Sequence, residues 1–270
     1  MTRDLIVIPA RWGSTRLPGK PLHLIAGRTL LSRVVQVARR AAALAGDVEV
    51  LVATDNARVE AHARELGATA VMTDSNVSTG SGRVLAAARR VGSQAERLVN
   101  LQGDAPFTAP ETIAALIGAM RASPDLVATP VVRLDWEALD ALRTHKRASP
   151  FSGTTCVVAQ DGRAIWFSKA ILPQIRNEPA LRRAGGLSPV RQHVGLYAYR
   201  PEALALFEAA PPSRYERLEE LEQLRFLELG IPIRAVEIAA SDFISTGIDT
   251  IEDVRRADAL IVAHGDPFDR

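Results

Sequence analysis

DLIVIPA at residues 4–10 is an apolar run without alternation, and RWGSTRLPGKPL at 11–22 follows it directly. A strand buried on both faces reads that way, and such strands belong to parallel sheets covered by helices. The second stretch sets Gly, Ser and Pro around Arg11, Arg16 and Lys20, with Arg3 just upstream. A plain turn does not need those cations. A loop at the carboxyl end of a buried strand is where open α/β sheets bind their ligands.

Working outward, the same alternation continues. Residues 28–45 carry apolar positions at helical spacing, and 48–55 (VEVLVATD) is a second apolar strand ending in Asp55. Helices are expected over 56–67, 81–92 and 110–123, the last with Pro at its start, and strands over 68–73, 97–104 and 125–134. Strands alternating with helices of about three turns predict an α/β fold with a mostly parallel central sheet and helices on both faces. The opening loop, Asp55 and the Gln102-Gly103-Asp104 turn then share one rim. The second half changes character. Residues 154–170 read as two strands around a DG turn, 191–210 as strand then helix, 216–230 as one acidic, leucine-rich helix, and 233–238 as a strand. A turn and final helix fill 248–263. The polar, Gly- and Pro-containing segment 174–190 reads as a mobile loop, and the tail GDPFDR as frayed. We expect a single domain over 1–270, with 135–210 as an inserted region for sugar binding and dimerisation.

Composition narrows the function classes. With 270 residues, 47% hydrophobic and 24% charged, the chain has the make-up of a globular domain with a core. No apolar run is long enough to span a bilayer, and no export signal is visible, so the expected compartment is the cytoplasm and no membrane partner is expected. The single Cys156 excludes an internal disulfide and a multi-cysteine metal site. A net charge of +2 with interspersed signs gives no nucleic-acid footprint. Local arginine clusters therefore point to small anions, set against surface arginines such as Arg39, Arg40, Arg255 and Arg256, which solvation explains.

Three rim elements carry chemistry. Arg11, Arg16 and Lys20, with loop N–H groups, suit a polyphosphate, since arginine grips phosphate bidentately and lysine acts as a point charge. The loop matches neither GxxxxGK[ST] nor GxGxxG. Asp104 in LQGDAP (101–106) is placed to hold Mg²⁺, and Asp249 in STGIDT (245–250) is a second loop aspartate ahead of a helix. Arg83 in STGSGR (78–83) stands in the first turn of a helix, where a cation opposes the dipole and needs an anion or water. His193 in RQHVGLYAYR (191–200) is as readily a core-edge residue as a ligand contact. No zinc cluster or GxSxG elbow is present.

Taken in order, IPARWGSTRLPGKPL, VATD, STGSGR, VNLQGDAPF, FSKAILP, RQHVGLYAYR, LEELEQLRFLELG and STGIDTIEDV resemble the 3-deoxy-manno-octulosonate (KDO) cytidylyltransferase family over about residues 4–258. The resemblance implies a Rossmann-like nucleotide-diphospho-sugar transferase fold with an inserted β-rich subdomain. It implies CTP and a 2-keto-3-deoxy sugar acid as substrates, Mg²⁺ as cofactor, a role in lipopolysaccharide assembly and a homodimer. It further implies that Arg11, Ser14, Arg16 and Lys20 surround the triphosphate and that Asp104 and Asp249 hold Mg²⁺, with Arg11, Lys20 and the two aspartates as the catalytic set. Pro9, Ala10, Thr129 and Pro130 would form the cytosine pocket. Arg83, Gln102, His193, Tyr197, Glu222 and Gln223 would form the sugar pocket. The chain departs from the family pattern at Val77, Gly82, Ala105, Lys169 and the FSGTTCVV segment, mostly on the sugar side. Other ulosonic or nonulosonic acids, including amino-KDO or sialic-acid-like sugars, stay open as acceptors. A sugar-phosphate nucleotidyltransferase and a catalytically inactive nucleotide-binding homologue also stay open.

Overall fold

The computed structural model describes residues 4–13, 16–77, 79–240 and 247–268. β1 (Asp4–Pro9) is followed by a 3-10 turn at Lys20–Leu22, the hairpin β2 (Leu24–Ile25) and β3 (Arg28–Thr29), and α1 (Leu30–Ala45). Then come β4 (Val48–Thr54), α2 (Ala57–Glu65), β5 (Thr69–Met72), α3 (Gly80–Arg90), β6 (Arg97–Asn100), α4 (Pro110–Ala122) and β7 (Val127–Arg133). The second half contributes α5 (Trp136–Ala148), β8 (Thr155–Val158), β9 (Ala164–Ser168), α6 (Glu178–Ala184), β10 (Arg191–His193) and β11 (Tyr197–Tyr199). It closes with α7 (Pro201–Ala209), α8 (Arg214–Glu219), α9 (Gln223–Glu228), β12 (Ile233–Ile238) and α10 (Ile251–His264).

The sheet is mixed rather than mostly parallel. β5, β4, β1 and β6 run parallel in that order, and β7 pairs parallel with β12. Between β6 and β7 lies β11, antiparallel to both. Its predecessor β10 pairs with the far end of β7 and with β8, which pairs with β9. Strand pairing on this side of β7 therefore changes at Thr129-Pro130, between the β11 contacts at 127–128 and the β10 contacts at 131–133. Pro130 has no N–H to offer a ladder, so a change of partner is the place for it. The chain thus returns through the sheet in reverse, which an apolar strand pattern cannot announce.

β1 explains why its sequence lacks alternation. Ile6 and Ile8 join one apolar cluster with α1, α4 and α10, while Leu5 and Val7 join another with α3, α7 and α9. Both faces are covered, as the sequence implied. Asp4 at its start is fully buried and held by Arg97 at 2.8 Å and Arg121 at 2.7 Å.

Several local expectations need correction. The helix expected over 216–230 is two helices, because Glu220 adopts a left-handed backbone (φ 52°) between α8 and α9. The segment 191–199 is two strands rather than one. α5, capped by the Asp135 side chain on the Ala138 N–H, went unforeseen. Segment 174–190 contains α6, whose Glu178 accepts from Arg143 and Arg182 at 2.7–2.9 Å. The tail is docked through Phe268. Arg33, fully buried, donates to Ile25 O and to both carboxylate oxygens of Asp266, and Arg40 donates to the carbonyls of Pro267 and Phe268.

Candidate active site

The carboxyl ends of β1 and β6 open onto one cleft of about 430 Å³. Its walls include Pro9, Ala10, Arg11, Arg16 and Lys20 from the opening loop, and Gln102, Gly103 and Asp104 after β6. Thr79, Gly80 and Arg83 come from the start of α3, and Asp249 from the turn before α10. A larger cavity of about 730 Å³ lies between α1, the start of α4 and the tail. It shares no lining residue with the cleft and gathers no comparable set of charges, so size does not identify the site.

The loop geometry follows from two glycines. Gly19 takes a left-handed backbone (φ 68°) just before Lys20, and the Trp12 ring packs on its Cα, so a side chain there would be strained and crowded. Gly103 lies against β1: a Cβ on it would stand 2.4 Å from the Pro9 carbonyl oxygen. That approach brings the turn bearing Asp104 against the end of the first strand. Asp55, at the end of β4, accepts from the Trp12 N–H at 3.0 Å and so fixes the start of the loop.

Two aspartates 145 positions apart in sequence share one cation. Lys20 Nζ donates to Asp104 Oδ2 at 2.8 Å and to Asp249 Oδ1 at 3.0 Å. Arg16 reaches Asp249 Oδ2 at 3.2 Å. The Ile248 N–H donates to the Asp104 carbonyl at 2.8 Å, so the two loops are also stitched through backbone. Burial alone would lower the pKa of Lys20, but Asp104 and Asp249 outweigh it and hold the ammonium above its usual range. Asp249 is aimed by a capping box: Asp253 Oδ2 accepts from the Asp249 and Thr250 N–H groups, and Thr250 Oγ1 accepts in turn from the Asp253 N–H.

Arg83 finds its anion inside the protein. It is almost fully buried, pairs with Asp55 at 3.3 Å, and donates to Thr73 Oγ1 and to the Val77 carbonyl. Burial lowers its pKa, Asp55 raises it and Arg11 lowers it further. The first turn of α3 thus holds a paired guanidinium at the cleft wall.

Behind the cleft lies a second group of the expected residues. His193, Tyr197 and Tyr199 stack in series, with ring centroids 5.4 and 5.7 Å apart. Thr129 Oγ1 donates to the Leu196 carbonyl at 2.8 Å, so it accepts from His193 Nε2 at 2.9 Å. Nδ1 then carries the lone pair. Burial, with the Lys169 charge nearby, pushes the His193 pKa down to about 3, so the ring is neutral near pH 7 and offers shape and a hydrogen bond rather than charge. Glu222 Oε2 accepts from Ser81 Oγ at 2.9 Å, and burial raises its pKa. Gln223 is buried, with Nε2 lacking a partner.

Of the residues singled out from sequence, Pro9, Ala10, Arg11, Arg16, Lys20, Arg83, Gln102, Asp104 and Asp249 line the cleft. His193 and Glu222, half-buried, and Tyr197 and Gln223, buried, form the second group, and Thr129 and Pro130 belong to β7 beside His193. Ser14 lies outside the described residues. The sequence reading missed Asn100, Asp253, Ser81 and Tyr199. Asn100 had a signal, a polar residue closing an apolar strand just before QGD. The others act only through tertiary contacts.

A cytidylyltransferase family model matches residues 5–236. A 3-deoxy-manno-octulosonate cytidylyltransferase of Maricaulis maris is 41% identical over 263 residues, covering 97% of this chain and 98% of that protein. One from Escherichia coli is 37% identical over 261 residues, covering 97% of each. A solved CMP:2-keto-3-deoxy-manno-octonic acid synthetase in complex with CTP superposes with a TM-score of 0.81 at 36% identity, covering 97% of this chain and 99% of that one. With a sheet rim that gathers basic loop, paired aspartates and buried polar pocket, and with likeness over almost its whole length, this chain belongs to the 3-deoxy-manno-octulosonate cytidylyltransferase family of cytidylyltransferases.

Proposed function

We propose that this enzyme couples CTP to KDO, giving the CMP-sugar and pyrophosphate. The observation that carries the reading is the meeting of Lys20, Asp104 and Asp249 beside the opening basic loop, in a chain 41% identical to a KDO cytidylyltransferase. The 2-hydroxyl oxygen of the sugar acid forms a bond to the α-phosphorus of CTP and gives up its proton to solvent. The bond from that phosphorus to the pyrophosphate oxygen breaks on the opposite side. Arg11, Ser14, Arg16 and Lys20 offset charge on the triphosphate and hold it in line. Pro9 and Ala10, which line the cleft, are assigned to the cytosine side, whereas Thr129 and Pro130 lie on β7 beside His193 and do not line that cleft. Arg83, Gln102, His193, Tyr197, Glu222 and Gln223 are assigned to the sugar side. His193, being neutral, positions the acceptor through Nδ1.

Among the described residues no three His, Cys, Asp or Glu side chains gather as a metal site. Two carboxylates are nonetheless what Mg²⁺ needs when substrate phosphates complete its shell. Asp104 and Asp249 already close on one cation, the Lys20 ammonium, and are the residues that would hold the metal. When bound there, Mg²⁺ would neutralise phosphate charge and acidify the attacking hydroxyl, so no dedicated protein base is required.

Among the described residues no helix is long and apolar enough to cross a membrane. We assign the reaction to the cytoplasm and to lipopolysaccharide assembly on the family reading. We also propose a homodimer. Exposed Ile165 on β9 and Leu218 on α8 are apolar side chains that a second copy could cover; light scattering in solution tests it.

The test of the function is pyrophosphate release with CTP held constant, with and without Mg²⁺, across KDO, an amino-substituted KDO and a sialic acid. Mg-dependent turnover with KDO is expected. The wider panel matters because Gly82 and Ala105 carry no acid, while the Glu208 carboxylate lies against Gly82 (2.7 Å from where its Cβ would stand). Turnover only with another acid would move the reading to that acceptor, and CTP binding without turnover on any acid would favour an inactive homologue.

A further inference from the structure

Asn100 closes β6 and is 1% exposed. Its Oδ1 completes no hydrogen bond, and its Nδ2 has only the Tyr199 hydroxyl to donate to. Leaving a buried amide unpaired costs about 1–3 kcal/mol per group, so a native structure holds one for a reason. None of the neighbours of Asn100 serves its Oδ1. Tyr199 OH lies 3.3 Å from Ser81 Oγ, and Ser81 donates to Glu222.

Access to the amide is set by Gly80. A Cβ built on Gly80 would stand 3.5 Å from Asn100 Nδ2 and 3.5 Å from Gln102 Oε1. Gly80 and Gln102 both line the cleft. Residues 100 and 102 thus converge beneath the bare Cα at the start of α3, where the missing side chain leaves the Asn100 amide one atom layer from the cleft. Gln223, next in sequence to the Glu222 that Ser81 bonds, also has a buried, unpaired Nε2.

We propose that Asn100 is an acceptor-specificity residue, its amide pairing with hydroxyls of the polyhydroxylated sugar acid that enters over Gly80. This rests on the function proposed above and adds a residue to it. An amide that donates through Nδ2 and accepts through Oδ1 matches a hydroxyl, which can do both, or two neighbouring ones. It is a poor match for an ammonium group, which cannot accept. A site built on such hydrogen bonds rejects analogues lacking the partner.

Two variants test it. Asn100→Leu removes the amide at similar volume, and Gly80→Ala covers the amide with a methyl group in ordinary contact distance. Steady-state constants for CTP and for KDO, and the melting temperature, are measured for both and for the wild type. For Asn100→Leu we expect the KM for KDO to rise about tenfold or more, the KM for CTP to stay within about twofold, and Tm to hold or rise. Gly80→Ala is expected to raise the KM for KDO in the same selective way. A KM for KDO within twofold of wild type in Asn100→Leu overturns the proposal. So does a lowered Tm with equal losses for CTP and KDO, which is the signature of a structural amide. Wild-type turnover of another acid but not KDO moves the function, and the same comparison is then read with that acid. A wild type inert with every acid overturns the function and this proposal together.

Discussion

Alanine at Gly103 should cost this enzyme far more activity than stability. The new Cβ would stand 2.4 Å from the Pro9 carbonyl oxygen and 3.3 Å from its carbon. Both are backbone atoms of a central strand, so neither can rotate away. Ordinary contact needs roughly 0.8–1 Å more, and either the Asp104 turn or the end of β1 must supply it. Overpacking of this kind costs about 1–3 kcal/mol, partly offset by about 0.4–1 kcal/mol from a stiffer unfolded chain. At about 2–4 °C per kcal/mol for a domain of this size, Tm should fall by several degrees. The displaced turn carries Asp104, one of two carboxylates on Lys20, and a misplacement of about 1 Å costs on the order of 100-fold in rate. The assay is kcat/KM for pyrophosphate release with Mg²⁺, alongside differential scanning calorimetry. Gly118→Ala is the matched control: Gly118 lies within α4 with nothing within 4 Å of a new Cβ, so that change should stabilise by about 0.5–1 kcal/mol and leave activity alone. A Gly103→Ala enzyme with wild-type kcat/KM would refute the argument that this contact positions Asp104 for turnover.

Lys20→Gln should abolish most turnover while tightening binding of Mn²⁺ in the absence of nucleotide, on the order of tenfold, because the ammonium no longer competes for Asp104 and Asp249; unchanged or weaker binding by electron paramagnetic resonance would contradict this. His193 is held near a pKa of about 3 against 6.5 in the unfolded chain, so the unfolded state binds the extra proton between these values. Its stability contribution is full above about pH 6.5 and declines as pH falls toward 3, with a slope of at most about 1.4 kcal/mol per unit. His193→Gln should therefore show a shallower loss of urea stability from pH 7 to 5 than the wild type; parallel slopes would count against it. Cys156 is 1% exposed and burial pushes its thiol pKa up to about 12, so a disulfide reagent at pH 8 should leave the folded enzyme unlabelled and react fully in denaturant. Rapid stoichiometric labelling of the native protein would refute that burial.

The chain shows clearly which properties are local. LIVIPA, VEVLVATD and LVN name β1, β4 and β6 because burial on two faces demands uninterrupted apolar residues, and Thr29, Asn56, Thr79 and Thr250 start helices through caps written into adjacent positions. The opening loop announced its cations and its glycine turn, and parallel strands placed Asp104 on the same rim. Other features depend on partners distant in sequence. That 197–199 would thread antiparallel between β6 and β7 follows from pairing across about seventy to a hundred residues, which an apolar pattern does not encode. The break in 216–230 is one left-handed residue in an otherwise helical sequence, and the tail is fixed by Arg33, more than two hundred positions away. Asn100 showed only as a polar residue closing an apolar strand and Asp253 not at all, until the fold buried the amide beside Gly80 and turned the Asp253 carboxylate back on Asp249. Composition and periodicity determined the layers and the rim, since these depend on hydrophobicity and chain stiffness; tertiary structure alone decided which charges meet and which polar atoms are left to face a substrate, since hydrogen bonds and ion pairs act only across a few ångströms.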